Sequence, residues 1–147
     1  MDIRVQEPAF DAGAELAAFS ANLPDMGAVV TFNGIVRADG GLTRLEIEHY
    51  PSMTERAIRG ITQEACARWA LGNALVLHRY GSLAPGEIIM MVATAAPHRA
   101  DAFAAAEFIM DYLKSRAPFW KREIAPDGTA SWVTSKDADE RALDRWA

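Results

Sequence analysis

Apolar and polar positions alternate along this chain with two periods, and the switches between them predict its elements. Residues 3–6 (IRVQ) predict a short strand, and residues 10–22 (FDAGAELAAFSAN) a helix that Asp11 starts. Residues 27–37 (GAVVTFNGIVR) are mostly apolar and β-branched and predict a buried strand. Gly34 within it marks a bulge or a close backbone approach. Residues 42–50 alternate, with Leu45, Ile47 and His49 on one side and Arg44, Glu46 and Glu48 on the other, as in a half-buried strand. Residues 51–70 predict a helix in which Ser52 and Glu55 have capping-box spacing. Ile58, Ile61, Ala65 and Trp69 form its apolar stripe.

Residues 73–83 and 86–96 predict two more strands, turning between Gly81 and Gly86. A helix over 97–117 follows, with Phe103, Ala106, Met110 and Leu113 as its core face. Pro118 ends it, because proline disfavours helical geometry in the residue before it. Residues 119–124 (FWKREI) predict a strand, PDG a turn, 130–134 a strand, and Ser135 caps a short last helix. Hairpins interleaved with helices predict an α+β sandwich of antiparallel strands, hammerhead-like, in one domain over 1–147.

Composition narrows the classes. Half the 147 residues are hydrophobic, enough for a sizeable core. The net charge of −5 argues against a general nucleic-acid or anionic-membrane binder. The one cysteine, Cys66, allows no intramolecular disulfide and no cysteine-rich zinc site, and its place in an amphipathic helix reads as buried packing. No histidine stands in metal-ligand spacing, so no metal or cofactor is expected. The first residues lack the apolar core of a signal peptide, and no window reaches the ~20 apolar residues of a membrane span. A soluble, cytoplasmic protein is expected.

Candidate chemistry concentrates in three places. Pro97, His98 and Arg99 open the long helix, where free N–H groups favour an anion such as phosphate; a surface His–Arg pair offset by Asp101 is the plainer alternative. Arg37 closes the strand 27–37, where a side chain reaches a site mouth or simply water. His49 and His78 read as core histidines, and His78 receives no role. Lys114 and Lys121 flank Pro118: one closes a helix, the other opens a strand on the same face as Phe119 and Glu123. Two elements can thus aim two ammonium groups into one pocket. Proximity or burial would lower their pKa values, as a base, nucleophile or Schiff-base lysine requires. The ordinary alternative for Lys114 is a cation complementing a helix C-terminus.

The stretches GAVVTFNGIVR, LEIEHYPSMTERA, HRYGSLAPGE and PHRADAFAAAEFIMDYLKSRAPFWKRE, with Trp132 after them, resemble the large, catalytic subunit of molybdopterin synthase, the MoaE family. The resemblance runs from about residue 2 to the C-terminus. It implies a homodimer whose subunits each bind a small ubiquitin-like partner ending in a Gly-Gly thiocarboxylate. The partner's tail threads into a pocket and donates sulfur. Two sulfurs pass to cyclic pyranopterin monophosphate, giving the molybdopterin dithiolene without metal or ATP. On this resemblance Lys114 sits near the tail's terminal glycine, and Lys121 binds substrate and assists proton transfers. Arg37, His98 and Arg99 form a basic pocket for the pterin phosphate at or near the dimer interface. Lys136 is the counterpart of a C-terminal basic residue that reaches in from the other subunit. Phe119 and Trp120 read as the packing that aims Lys121.

Two other readings compete. One is a non-catalytic dimeric scaffold binding a ubiquitin-like partner or a phosphorylated ligand. The other is a lysine Schiff-base enzyme acting on a small carbonyl compound.

Overall fold

The computed structural model describes residues 1–133 and 136–147; the expected strand end at Thr134 and the cap at Ser135 lie outside that range. Among the described residues, eight strands form two four-stranded sheets. The first has the order β1 (Asp2–Gln6), β4 (Asn73–Arg79), β6 (Ile88–Ala96), β2 (Ala28–Ile35). The second has the order β5 (Gly81–Leu83), β3 (Arg44–His49), β7 (Phe119–Ile124), β8 (Ala130–Trp132). All pairings are antiparallel except β1 with β4, a parallel pair that the hairpin expectation did not contain.

The inner strand β4 is buried from Ala74 to Arg79, as expected of a strand covered on both faces. On one face α2 (Pro51–Trp69) and α3 (Arg99–Arg116) enclose a core that includes Ile58, Val76, Val92, Phe108 and Ile109. On the other, α1 (Ala12–Ser20) covers Leu75, Leu77, Met91 and Ala93 with Phe10 and Phe19. Val36, Leu45, Ile47 and Leu83 form the core of the second sheet, and Phe119 and Ile89 pack against both clusters. The two sheets therefore meet along β7 and the start of β6.

Several expected elements change character. Residues 73–83 do not form one strand: Gly81 adopts φ +93°, a conformation that favours glycine, and the chain leaves the first sheet at Tyr80 to enter the second. The capping box fails, because Pro51 takes the first helical position, Tyr50 becomes the cap, and Ser52 lies inside the helix. Asp11 does cap α1, accepting from the Ala14 N–H at 3.0 Å. The strand expected as buried over 27–37 ends at Ile35 and lies at a sheet edge, with Val29, Phe32 and Ile35 exposed. Its register shifts between Gly34 and Ile35, the expected bulge. The core face of α3 is Ala102, Ala105, Ala106, Phe108, Ile109 and Leu113; Phe103 points outward at 61% exposure. Alanines let that helix sit close against β6 and β2, so its larger side chain turns away.

Behind β8 the chain closes with α4 (Asp137–Ala142) and a 3₁₀ turn to Trp146. This segment docks on α3: Ser115 Oγ donates to the Asp139 carbonyl at 3.1 Å, Trp146 Nε1 donates to Asp111 at 2.6 Å, and Arg116 pairs with Glu140 at 3.1 Å. That docking brings the start of α4 to the C-terminal end of α3, where the two sheets meet.

Candidate functional site

A cavity of about 300 Å³ opens at that junction. The end of α3 contributes Lys114, β7 contributes Lys121 and Glu123, and β4 contributes His78. Arg37 and Asp39 come from the segment after β2, and Lys136 and Asp139 from the start of α4. Apolar side chains, among them Leu45, Ile89, Met90, Leu113 and Phe119, form the rest of the wall. Four basic side chains face three carboxylates and a histidine, a composition suited to an anionic ligand.

Strand period explains why a lysine sits in an interior. Phe119 and Lys121 lie two residues apart on one face of β7, and Phe119 must face inward to join both cores. Lys121 follows it. Burial, and then the charge of Lys114, push the Lys121 ammonium down to about 8, while Asp139 works in the opposite direction. This is a lysine that exchanges its proton near neutral pH. Trp120, by contrast, lies on the outer face in an edge-on contact with Tyr50 at 4.8 Å, away from the face that Phe119 and Lys121 share.

Lys114 and Lys121 do converge from two elements, with Pro118 between them and Ala117 extended at φ −76°, ψ 134°. Arg37 stands at the rim, with its guanidinium 3.3 Å from Asp39 and well exposed. It lies two residues beyond the strand it was expected to close. Lys136 lines the cavity of its own chain, where the resemblance implied that the equivalent residue reaches across to a neighbour.

His98 and Arg99 are elsewhere. His98 is the cap residue before α3 rather than part of its first turn, and Pro97 precedes the cap. With Gly27 and Ala100 they line a second, separate cleft. Gly27 packs so closely there that a Cβ would stand 2.4 Å from the Pro97 carbonyl oxygen. The chain by itself therefore does not gather all of the expected basic residues into one place.

His78 is the site residue that sequence reasoning set aside. Its ring stacks on Phe119 at 3.7 Å between centroids, and its Nδ1–H donates to the Arg79 carbonyl at 2.7 Å. Burial first, then the charge of Lys121, push it down to about 3. A usable signal was present: a histidine inside the apolar run NALVLHR of an inner strand must be buried and partnered. His49, expected in the core, is only half-buried, against Tyr80 at 4.4 Å with Nδ1 3.3 Å from Thr54 Oγ1.

Among the described residues, no group of three or more His, Cys, Asp and Glu is placed to hold a metal ion. No described helix is long and apolar enough to cross a membrane. Cys66 is partly buried in α2, where burial raises its pKa.

Comparison with known proteins connects this geometry to a family. The model of a family described as "MoaE protein" matches residues 5–116. A relative from Cereibacter sphaeroides, named "Molybdopterin synthase catalytic subunit", is 60% identical, covering 99% of this chain and 100% of its own. A solved structure of a molybdopterin biosynthesis MoaE protein from Burkholderia ambifaria superposes with a TM-score of 0.85 at 49% identity, covering 99% and 97% of the two chains. The crystal structure of molybdopterin synthase from Staphylococcus aureus gives 0.80 at 31% identity, covering 88% and 95%.

Proposed function

The chain belongs to the MoaE family, and from that premise we propose that it is the sulfur-transferring subunit of a molybdopterin synthase. Its reaction moves two sulfurs from the C-terminal thiocarboxylate of a small ubiquitin-like partner to cyclic pyranopterin monophosphate. The observation that carries the assignment of residues is the meeting of Lys114 and Lys121 in one cavity, with Lys121 partly desolvated.

The chemistry asks for little beyond what this cavity offers. A thiocarboxylate already carries its nucleophile, so the enzyme needs no cysteine of its own; water replaces the sulfur and leaves a carboxylate. Lys114, at the mouth between helix end and strand, neutralises the tail's terminal glycine. Lys121, able to lose its proton near pH 8, moves protons as carbon–oxygen bonds give way to carbon–sulfur bonds. Arg37 and Lys136 hold the phosphate by charge-assisted hydrogen bonds. Capture of an extended C-terminal tail is a known recognition mode.

We read the working unit as a cytoplasmic homodimer. The position of β2 at a sheet edge, with Val29, Phe32 and Ile35 exposed along it, supports this, since an edge strand is a template for pairing with a second chain. A second copy is also the simplest source of His98 and Arg99 for the phosphate pocket. Light scattering at micromolar concentration is expected to give twice the chain mass, and a monomer there would overturn the dimer.

The activity itself is tested by mixing the protein with a thiocarboxylated small subunit and the cyclic pterin precursor and assaying dithiolene. Product is expected in proportion to enzyme. Partner binding with no product would instead favour the scaffold reading.

A further inference from the structure

We propose that residues 136–147 form a strap that completes the cavity wall, and that Trp146, latched on α3 at the strap's far end, is the positioning residue that keeps Lys136 and Asp139 in that wall. The consequence for pterin binding rests on the sulfur-transfer reading above; the placement of the strap does not.

Lysine is scarce in this chain and gathered in one place. Of 15 lysines and arginines only Lys114, Lys121 and Lys136 are lysine, and all three line the one cavity. Lys114 stands on α3, a core helix, and Lys121 on β7, an inner strand of its sheet. Lys136 has no such support. It is the residue before α4, its side chain makes no cap, and neither α4 nor the turn after it buries a residue. A helix of six residues does not hold itself together in water. Its position is set by what ties it to the rest of the chain.

The ties run along one stripe of α3. Glu107, Asp111 and Ser115 are spaced by four and share a face of that helix. Ser115 Oγ donates to the Asp139 carbonyl at 3.1 Å, Arg145 pairs with Glu107 and reaches Asp111 at 3.4 Å, and Trp146 Nε1 donates to Asp111 at 2.6 Å. The strap therefore runs back along α3, from the cavity toward the helix middle. These ties are unequal. Arg116 with Glu140 and Arg145 with Glu107 are solvent-exposed pairs, which contribute little. Trp146 is half-buried and edge-on to Trp69 and to Phe108, each at 5.5 Å between centroids, and its N–H meets a carboxylate that is 16% exposed. Apolar burial and a charge-assisted hydrogen bond coincide at this one side chain. Arg68 of α2 adds a hydrogen bond to the Trp146 carbonyl at 3.2 Å. Because α4 runs into the turn Leu143–Trp146 without a break, the latch at one end fixes the lysine at the other.

The first readout is the lysine side chains themselves, by NMR of protein labelled with carbon-13 at lysine, without partner or pterin; the three lysines give three signals. In Trp146→Ala the Lys136 signal is expected to move to the position of a lysine in an unstructured peptide, while the Lys114 signal stays. Trp146→Phe keeps the aromatic packing and loses only the N–H, and should return most of the Lys136 signal to its parental position. Turnover supplies the second readout. Trp146→Ala should raise the KM for the cyclic pterin by about tenfold, with a smaller change in kcat, and Lys136→Ala should do the same, because each loses one charge-assisted contact to the phosphate. Adding Lys136→Ala to Trp146→Ala should then cost less than about twofold more. Full additivity of the two, or a Lys136 signal that stays in place in folded Trp146→Ala, would overturn the proposal. Should Trp146→Ala not fold, Asp111→Ala removes the acceptor of the latch and leaves Trp69 and Phe108 in place, and an unmoved Lys136 signal there overturns the proposal equally. If the intact protein forms no dithiolene, the functional reading fails by itself, and the lysine signals still decide what Trp146 holds.

Discussion

Replacing Lys121 with alanine is expected to lower dithiolene formation by roughly a hundredfold or more, the range in which positioned proton-transfer groups act. Binding of the small subunit should change little, because Lys121 lies inside the cavity rather than on the surface that a folded partner covers. The pH profile makes the claim sharper. With an ammonium pushed down to about 8, about a tenth of the lysine is free amine at pH 7. Where the free amine accepts a proton in the slow step, single-turnover rate rises with pH and levels above about 8. Lys121→Ala should lose that rise along with its rate. Lys114→Ala should keep the rise but move its midpoint upward, since the charge of Lys114 is the second cause of the depression. A wild-type profile that is flat between pH 7 and 9, or wild-type-like turnover in Lys121→Ala, would remove Lys121 from the mechanism.

The convergence of the two lysines was legible because it depends on local rules. Pro118 breaks the helix, and strand period then puts Lys121 on the face of Phe119. What stayed hidden depends on which strands pair. Val29, Phe32 and Ile35 look like core in an apolar run, and only the position of β2 at a sheet edge turns them outward. Residues 73–83 show no interruption except Gly81, yet they divide between two sheets, and that division places His78 opposite Phe119. On α3 Ala106 and Leu113 are buried as expected, but Phe103, which looked like a natural core residue, turns outward, and close approach to the sheet favours Ala102 and Ala105 in its place. His98 and Arg99 matched their motif as well as the lysines did, and chain order could not say that they face a different cleft. Local chemistry named the candidates; long-range pairing decided which of them share a cavity.

Replacing Lys121 with methionine should make the protein more stable at pH 7, by about 1–3 kcal/mol, while removing its activity. The argument is one of linkage. The ammonium is held at about 8 in the folded chain against 10.5 for a lysine in water, mainly because burial opposes its charge. Below about pH 8 both states carry the proton, and the folded state bears the full cost of the buried charge. Between about 8 and 10.5 the unfolded chain binds more protons than the folded one, so stability rises with pH through that window. Above it the cost is gone. Methionine has nearly the length of lysine and no charge, so it fills the apolar wall formed by Leu45, Leu113 and Phe119 without the penalty. The stability gap between Lys121→Met and the parent, measured by urea unfolding, should therefore be widest near neutrality and close as pH approaches 10.5. Ionisable groups that do not interact with Lys121 cancel in the difference. The lower end of the range allows for Glu123 and Asp139, which line the same cavity and lose a nearby cation. A variant less stable than the parent at pH 7, with a gap that does not change with pH, would mean that Lys121 is held for packing and not at a cost that function explains.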